Sequence, residues 1–208
     1  MVELILPLEC GGCGAPATRW CGCCAAELAV RPDRPHLICP RTDPGVPVFA
    51  LGRYAGMRRR AIVAVKEHGR TDLVAPLGAA LAAGVQHLLA WRVVAAPVVL
   101  VPAPTRWLAA RRRGGDPVTR MAAAAAAHPA VAVIPALRMA AWVRDSVGLG
   151  AAARQRNIAG RVVLRRRRLA ELAAAAEVLL VDDIVTTGAT ARESVRVLQS
   201  AGARVAGV

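Results

Sequence analysis

Short apolar runs alternate with longer Ala-rich segments from residue 48 to the end of the chain. Such runs are typical of strands that are buried in a sheet. They predict strands at residues 48–53, 98–101, 131–134, 162–164 and 178–181, with one further strand beginning in 203–208. The segments between them predict helices at residues 58–68, 73–91, 118–128, 149–158 and 190–200. This alternation predicts an α/β fold with a mostly parallel sheet flanked by helices.

The first 45 residues have a different composition. All six cysteines lie here, five of them between Cys10 and Cys24 and the sixth at Cys39. Residues 31–47 are rich in proline, which favours a linker over a regular element. A chain of 208 residues is long enough for one main domain with a small appendage. We therefore predict a cysteine-rich lobe with its linker at residues 1–45 and an α/β domain at residues 46–208.

The cysteines of this lobe have the spacing of a metal site. Cys10, Cys13, Cys21 and Cys24 form two C-x-x-C pairs that are separated by seven residues. Two such turns can present four thiolates to one tetrahedral Zn²⁺, and a shell closed by four protein ligands makes a structural site. The spacing leaves Cys23 as a competitor for Cys21 or Cys24, and a redox or incidental thiol cluster is the alternative. The favoured prediction is a small zinc-ribbon-like lobe.

The charge of the chain is strongly positive. Its 28 basic and 14 acidic residues give a formal net charge of +14, and a basic surface attracts polyanions such as single-stranded DNA. Lys66 is the single lysine, so a general bias toward arginine explains the charge equally well. Aromatic residues make up 3% of the chain, so any contact with DNA would depend on phosphates more than on base stacking.

The sequence predicts a protein of the cytoplasm without membrane insertion. The first ten residues lack the basic segment and long apolar core of a secretory signal. Residues 73–91 form an uncharged stretch of 19 residues, which reaches the length of a membrane span. The stretch contains Pro76, Gln86 and His87 and is rich in Ala and Gly, so a packed globular helix is favoured. A reducing cytoplasm favours free or metal-bound cysteines over disulfides.

The strongest candidate site follows the predicted strand at residues 178–181. Asp182 and Asp183 come directly after this apolar run, at the carboxyl end of a strand, where open α/β sheets bind ligands. Residues 186–190, Thr-Thr-Gly-Ala-Thr, then lead into a predicted helix, whose first N–H groups can bind a phosphate. Carboxylates at this place can accept hydrogen bonds from sugar hydroxyls or help to hold Mg²⁺. The combination indicates a ribose-phosphate site, and a polar strand end before an ordinary helix cap is the alternative.

The segment VLLVDDIVTTGAT, residues 178–190, resembles the phosphoribosyl-pyrophosphate signature of type I phosphoribosyltransferases. The resemblance implies that Asp182 and Asp183 contact the ribose hydroxyls and form the catalytic pair. In such enzymes Mg²⁺ accompanies the pyrophosphate that leaves C1 of the sugar. Thr186 stands where purine-specific members carry an acid, which counts against purine salvage. The 5′-phosphate is assigned to the following loop, which consists of Thr186, Thr187, Gly188, Ala189 and Thr190.

Other segments are similar to the ComF family, whose members join a cysteine-rich lobe to a phosphoribosyltransferase domain and are associated with the uptake of transforming DNA. Residues 53–70 resemble that family's Tyr-x-Gly, basic helix and Lys-x-x-Gly, and residues 101–104 resemble its Val-Pro-x-Pro turn. Lys66 and Arg113 match family positions, and we assign both to substrate binding. A surface position on a helix is the alternative for Lys66, and a solvated basic turn is the alternative for Arg113. At residues 113–117 the chain has Arg-Gly-Gly-Asp-Pro where many members have Arg-Gly-Phe-Asn-Gln.

The resemblance leads to three hypotheses about function. The first is a ComF-like phosphoribosyltransferase, a glycosyltransferase that binds phosphoribosyl pyrophosphate with Mg²⁺ and transfers the sugar phosphate to an acceptor. The second is a non-catalytic module that binds a nucleotide or, through its arginines, single-stranded DNA during competence. The third is a regulatory protein that binds the sugar phosphate without chemistry. We favour the first, while the acceptor and the oligomeric state stay open.

Overall fold

The computed structural model describes residues 8–105, 115–140, 160–175 and 177–208. The predicted helix at residues 149–158 lies outside the described residues, as does Arg113. The helices are α1 (Gly22–Leu28), α2 (Gly56–Glu67), α3 (Val74–Ala90), α4 (Pro117–Ala125), α5 (Leu169–Ala173) and α6 (Ala189–Ser200). The strands are β1 (His36–Ile38), β2 (Val48–Ala50), β3 (Val98–Pro102), β4 (Val131–Val133), β5 (Leu137–Met139), β6 (Val162–Leu164), β7 (Glu177–Val181) and β8 (Val205–Gly207). Short 3-10 turns at Thr71–Leu73 and Arg166–Arg168 precede α3 and α5.

Four strands form a parallel sheet in the order β4-β3-β7-β8. The central strands β3 and β7 pair from Val98 opposite Glu177 to Pro102 opposite Val181. Every residue of these two strands is buried, which explains the apolar runs at residues 98–101 and 178–181, and Glu177 at the start of β7 is the buried exception. The structure therefore confirms the predicted α/β class with a parallel sheet flanked by helices.

The sheet separates two layers of the core. One face packs against α2, α3 and α4 through residues such as Leu100 and Leu179. The opposite face contacts Val195 of α6 through residues such as Val101 and Leu180. Successive strand residues point to opposite faces, so each apolar run supplies both layers at once.

Helix α3 is long and apolar. With the turn before it, Thr71–Ala90 is the one helical stretch in the described part of the chain that is long and apolar enough to cross a membrane. A core helix of a globular protein has the same length and composition. Leu77, Val85 and Leu88 of α3 are buried in the core, and a Cβ on Gly78 would lie 2.5 Å from that of Ala124 at the end of α4. This is the packing predicted for residues 73–91.

Two of the predicted strands lie outside the parallel sheet. β2 pairs antiparallel with β1, and β6 pairs antiparallel with β5, so the strands predicted at residues 48–53 and 162–164 belong to separate two-stranded sheets. Each of these strands has three residues and is only partly buried, whereas β3 and β7 are buried along their whole length. The prediction of an irregular linker at residues 31–47 is also wrong at one place, because this passage contains β1.

Candidate functional site

Two adjacent carboxylates stand at the carboxyl end of β7. Asp182 and Asp183 follow Val181, the last residue of the strand, and the Asp183 N–H donates a 2.9 Å hydrogen bond to Asp182 Oδ1. Strand β3 ends beside them, because the Ala103 N–H donates a 2.7 Å hydrogen bond to the Val181 carbonyl oxygen. The turn at residues 101–104 therefore lies next to the carboxylates, at the edge where parallel sheets bind ligands.

Lys66 of α2 reaches the second carboxylate from a distant part of the chain. Its Nζ lies 2.8 Å from Asp183 Oδ2 and 3.1 Å from Oδ1, and the two residues are 117 positions apart. The Asp183 side chain is 6% exposed, so the ammonium group compensates a negative charge that would otherwise be costly to bury. Asp183 Oδ2 is buried, and the Lys66 ammonium is its ion-pair partner among the described residues.

The surroundings of Asp182 raise the pKa of its carboxyl group. Burial and the negative charge of Asp183 raise the pKa of Asp182 to about 8, although the Asp183 N–H and the Lys66 ammonium act in the opposite direction. A protonated carboxyl can donate one hydrogen bond and accept another, and a bound cation would favour its ionised form. The two acids therefore have different environments, because Asp183 pairs with Lys66 while burial and its neighbour raise the pKa of Asp182.

The loop after the carboxylates presents backbone N–H groups. None of the described residues accepts a hydrogen bond from the N–H of Val185, Thr186, Thr187 or Gly188. Gly188 has a φ of +83° and is the N-cap of α6, a helix of 12 residues, without a side-chain cap. Unpaired N–H groups at the positive end of a helix dipole favour an anion such as phosphate. The loop thus has the donors that the predicted phosphate site requires.

The side chains of this loop differ in what they can offer to a ligand. Thr187 Oγ1 accepts a 3.3 Å hydrogen bond from the Ala189 N–H, so this hydroxyl stabilises the first turn of α6. Ala189 is buried and can offer only its backbone. Thr186 is exposed and Thr190 is partly buried, and neither hydroxyl has a hydrogen-bond partner among residues that the structure describes. Thr186 and Thr190 are therefore the hydroxyls of the loop that could contact a phosphate.

The sequence analysis missed a contact that holds this loop in place. The Thr42 N–H donates a 2.8 Å hydrogen bond to the Thr187 carbonyl oxygen. A Cβ on Gly188 would collide with the Thr42 carbonyl oxygen and would lie 2.9 Å from the Pro40 Cβ. Gly188 is thus required both by its positive φ and by the close approach of the 40–42 backbone. The signal that could have pointed to this contact is Thr42 itself, a polar residue that is buried in a proline-rich passage.

Thr105 and Asp116, which lie on either side of Arg113 in the sequence, have structural roles. The Thr105 hydroxyl donates a 2.7 Å hydrogen bond to Asp116 Oδ1. Asp116 is also the N-cap of α4 and accepts hydrogen bonds from the N–H groups of Val118 and Thr119, each at 3.3 Å. Asp116 therefore closes the segment that contains Arg113 and begins the next helix.

Four cysteines near the N-terminus form a compact cluster. The Sγ atoms of Cys10, Cys13, Cys21 and Cys24 all lie within 4.8 Å of one another, and those of Cys13 and Cys21 are 3.5 Å apart. Four sulfurs that each lie about 2.3 Å from one zinc ion would be about 3.8 Å apart, so these four cysteines could hold zinc. Cys23 is exposed and lies outside the cluster. The structure therefore brings together the four cysteines favoured by their spacing.

Backbone N–H groups prepare one thiol of the cluster for metal binding. Burial by itself would raise the pKa of Cys10, but the N–H groups of Cys13, Cys21 and Gly12 lower it to about 6. Thiolates are the form of cysteine that binds metals. Burial and the neighbouring sulfurs raise the pKa of Cys24, because negative charges so close together repel one another. A divalent cation at the centre would remove this repulsion, so the donor set fits zinc.

Helix α2 contacts both candidate sites. Arg60 donates a hydrogen bond to the carbonyl oxygen of Gly12, inside the cysteine cluster. Lys66 lies further along the same helix and pairs with Asp183. The buried cysteines also belong to the same hydrophobic cluster as the inner faces of α2 and α3. One helix therefore joins the cysteine cluster to the carboxylate pair.

Comparisons with known proteins do not identify the chain. No protein-family model matches it, and a search of curated proteins finds no match. The assignment of a function therefore depends on the residues and the geometry of these two sites.

Proposed function

We propose that the chain is a ComF-like phosphoribosyltransferase-type protein that binds phosphoribosyl pyrophosphate with Mg²⁺ at the carboxyl end of β7. The observation that carries the proposal is the juxtaposition of two carboxylates with a loop whose N–H groups have no acceptor among the described residues. A sugar phosphate matches both parts, because its hydroxyls suit the carboxylates and its phosphate suits the N–H groups. Either part by itself would be far less specific.

Each residue of the site has a distinct role in this proposal. The 5′-phosphate lies at the N-terminus of α6, where the backbone of residues 185–188 and the hydroxyls of Thr186 and Thr190 bind it. Asp182 and Asp183 bind the two ribose hydroxyls. Lys66 keeps Asp183 oriented and adds positive charge where a pyrophosphate would lie. Arg113 stays a proposed substrate-binding residue.

The transfer needs positioning and charge stabilisation more than a protein nucleophile. The bond between C1 and the pyrophosphate oxygen breaks, and its electron pair leaves with the pyrophosphate. A nucleophilic atom of the acceptor forms the new bond to C1 and loses a proton. Mg²⁺ supplies positive charge to the leaving pyrophosphate when it is bound. The carboxylates and the helix N-terminus hold the sugar in place during this exchange.

The cysteine cluster has a structural role in the proposal. Four protein ligands would fill the coordination shell of Zn²⁺ and leave no open position for chemistry. The ion would instead hold the segment whose Gly12 carbonyl oxygen accepts a hydrogen bond from Arg60 of α2. A reducing cytoplasm is the compartment in which these thiols stay available for the metal.

Calorimetric titration with phosphoribosyl pyrophosphate tests the proposal directly. We expect the wild-type chain to bind it in the presence of Mg²⁺ and to bind at least about tenfold more weakly without the cation. The double variant Asp182→Asn/Asp183→Asn should lose at least about tenfold in affinity, because it replaces both carboxyl groups of the sugar site with amides. Glu171→Gln, a change of an exposed acid that pairs with Arg168, is the matched control and should bind like wild type.

The result that overturns the proposal is a wild-type chain that does not bind phosphoribosyl pyrophosphate. Titration with a single-stranded oligonucleotide at two salt concentrations addresses the rival DNA-binding module. The DNA-binding module would be favoured if the chain does not bind phosphoribosyl pyrophosphate but binds the oligonucleotide tightly, with an affinity that falls steeply as salt rises. Such a salt dependence is expected because phosphate contacts release counterions.

A further inference from the structure

A largely apolar cavity adjoins the carboxylate pair. It has a volume of about 440 Å³, within the range of small-molecule sites. Asp182 and Asp183 form part of its lining at the carboxyl end of β7. The remaining wall is mostly made of apolar side chains from α2, α3 and β2 and from the loop after β7, among them Phe49, Ile62, Leu77, Leu81, Val85 and Ile184.

The other end of this cavity is basic. It shares His36, Arg53 and Arg58 with a neighbouring groove of about 610 Å³, which is also lined by Arg31 and Arg34. Glu27 is the acidic residue on the wall of this groove. The groove therefore carries a net positive charge at the mouth of the apolar cavity.

Arg58 is held in place at this mouth. Its Nη2 donates a 2.5 Å hydrogen bond to the Glu27 carbonyl oxygen, and its Nε would lie 2.8 Å from a Cβ on Gly52. Neither Arg53 nor Arg58 forms an ion pair with an acid in the parts of the chain that the structure describes. A fixed guanidinium without a carboxylate partner is suited to bind an anion.

The lining decides which ligand can enter. A purine or pyrimidine would place several donors and acceptors against the aliphatic wall, and each unpaired polar group costs about 1–3 kcal/mol. An aryl ring or a short alkyl body has no such groups, and it would gain from leaving water. The basic mouth then favours a ligand that carries a negative charge at one end.

We propose that this cavity binds an apolar organic acid, with its carboxylate at Arg53 and Arg58 and its aryl or alkyl body between α2, α3 and β7. The inner end of such a ligand lies at Asp182 and Asp183. The proposal that the acid binds depends only on the shape and lining of the cavity. Its use as the acceptor of the phosphoribosyl group rests on the proposed function.

Calorimetric titration of the full chain with 2-naphthoate tests the proposal. We expect wild type to bind 2-naphthoate, to bind the neutral 2-naphthamide at least about fivefold more weakly, and to ignore hypoxanthine. Ala80→Leu, which enlarges a side chain on the wall of the cavity, should lower the affinity for 2-naphthoate at least about tenfold. Arg53→Gln/Arg58→Gln should lower the affinity for 2-naphthoate about fivefold to tenfold. Arg59 lies on the same helix as Arg58 but does not line the cavity, so Arg59→Gln should leave the affinity for 2-naphthoate unchanged.

Two results would overturn the proposal. One is a wild-type chain that does not bind 2-naphthoate or binds hypoxanthine more tightly. The other is an unchanged affinity in the double arginine variant, which alters only side chains at the mouth and so stays informative if Ala80→Leu does not fold. The variant Thr186→Ala/Thr190→Ala separates the two proposals, because it should weaken the binding of phosphoribosyl pyrophosphate and keep that of 2-naphthoate, whose cavity neither residue lines. Binding of 2-naphthoate by a chain that ignores phosphoribosyl pyrophosphate would leave the cavity site standing without the proposed function.

Discussion

The cysteine cluster and the carboxylate site are both centred on short motifs, but they are assembled differently. The four cysteines lie between Cys10 and Cys24, and local turns bring their sulfurs within 4.8 Å of one another. The carboxylate site needs Lys66, which is 117 positions away from Asp183, and the backbone of Thr42 against the loop. The first site is therefore a property of one short segment, whereas the second depends on how helices and loops pack around the sheet.

The largest expected effect comes from breaking the local site. Cys10→Ser should reduce bound zinc from about one ion per chain to nearly none, because a four-ligand site loses a thiolate that the backbone prepares. The loss of the metal should cost more than about 3 kcal/mol of folding stability. Zinc analysis and thermal unfolding measure both effects.

Cys23→Ser is the matched control, since Cys23 is exposed and outside the cluster. It should keep both the zinc and the melting temperature of wild type. Equal zinc content in Cys10→Ser and wild type would contradict the assignment of the ligands.

The second prediction concerns the tertiary contact at the phosphate loop. Gly188→Ala should destabilise the chain by about 3 kcal/mol, from an unfavourable positive φ and from the collision with Thr42. Gly202→Ala is a matched control, because Gly202 has the same φ of +83° but open space around its Cα. It should cost only about 1 kcal/mol. Urea unfolding of both variants measures the difference, and equal losses would show that Thr42 does not press on the loop.

The third prediction concerns the ion pair that spans the fold. Lys66→Met should destabilise the chain by about 1–3 kcal/mol, because Asp183 would stay buried without its cationic partner. Arg59→Met, on the exposed side of the same helix, should change stability by less than about 0.5 kcal/mol. A Lys66→Met variant as stable as wild type at neutral pH would mean that the ion pair does not hold α2 to the carboxylate site.

The fourth prediction concerns the dependence of stability on pH. Asp182 has a pKa of about 8 in the folded chain and an ordinary value of 3.8, so the folded state holds a proton that the unfolded state has lost between these values. Stability should therefore fall as pH rises through this window, by up to about 1.4 kcal/mol per pH unit. Asp182→Asn cannot ionise and should flatten this part of the profile. Unfolding measured from pH 5 to pH 8 tests the prediction, and parallel profiles for wild type and Asp182→Asn would contradict it.

The two regions also differ in how far they could be predicted from the sequence. The central strands β3 and β7 could be predicted because both of their faces are buried, so that residues 98–101 and 178–181 are all apolar. The cysteine cluster could also be predicted, because all four cysteines lie in one short segment of the sequence. Strands β2 and β6 have the same kind of apolar run, but pairing partners are chosen by tertiary packing, so their antiparallel sheets were not predicted.

Within the carboxylate site, too, the contacts made by tertiary packing could not be predicted from the sequence. Two acids followed by a Thr/Gly loop indicate a sugar-phosphate site. This part of the site could be predicted because the end of the strand and the start of the helix are adjacent in the sequence. The contact of Thr42 with Gly188 joins residues that meet only in the fold, and the high pKa of Asp182 depends first on its burial there. The apolar cavity is likewise built from several elements and has no signature in any one of them.

The most direct test of the central claim follows the backbone N–H groups of the loop. In a ¹⁵N-labelled chain, phosphoribosyl pyrophosphate with Mg²⁺ should shift the amide resonances of Thr186, Thr187 and Gly188 more than those of the arginine-lined groove. This result would place the phosphate at the N-terminus of α6, as the account requires. Unchanged resonances for these three residues at saturating ligand would contradict it.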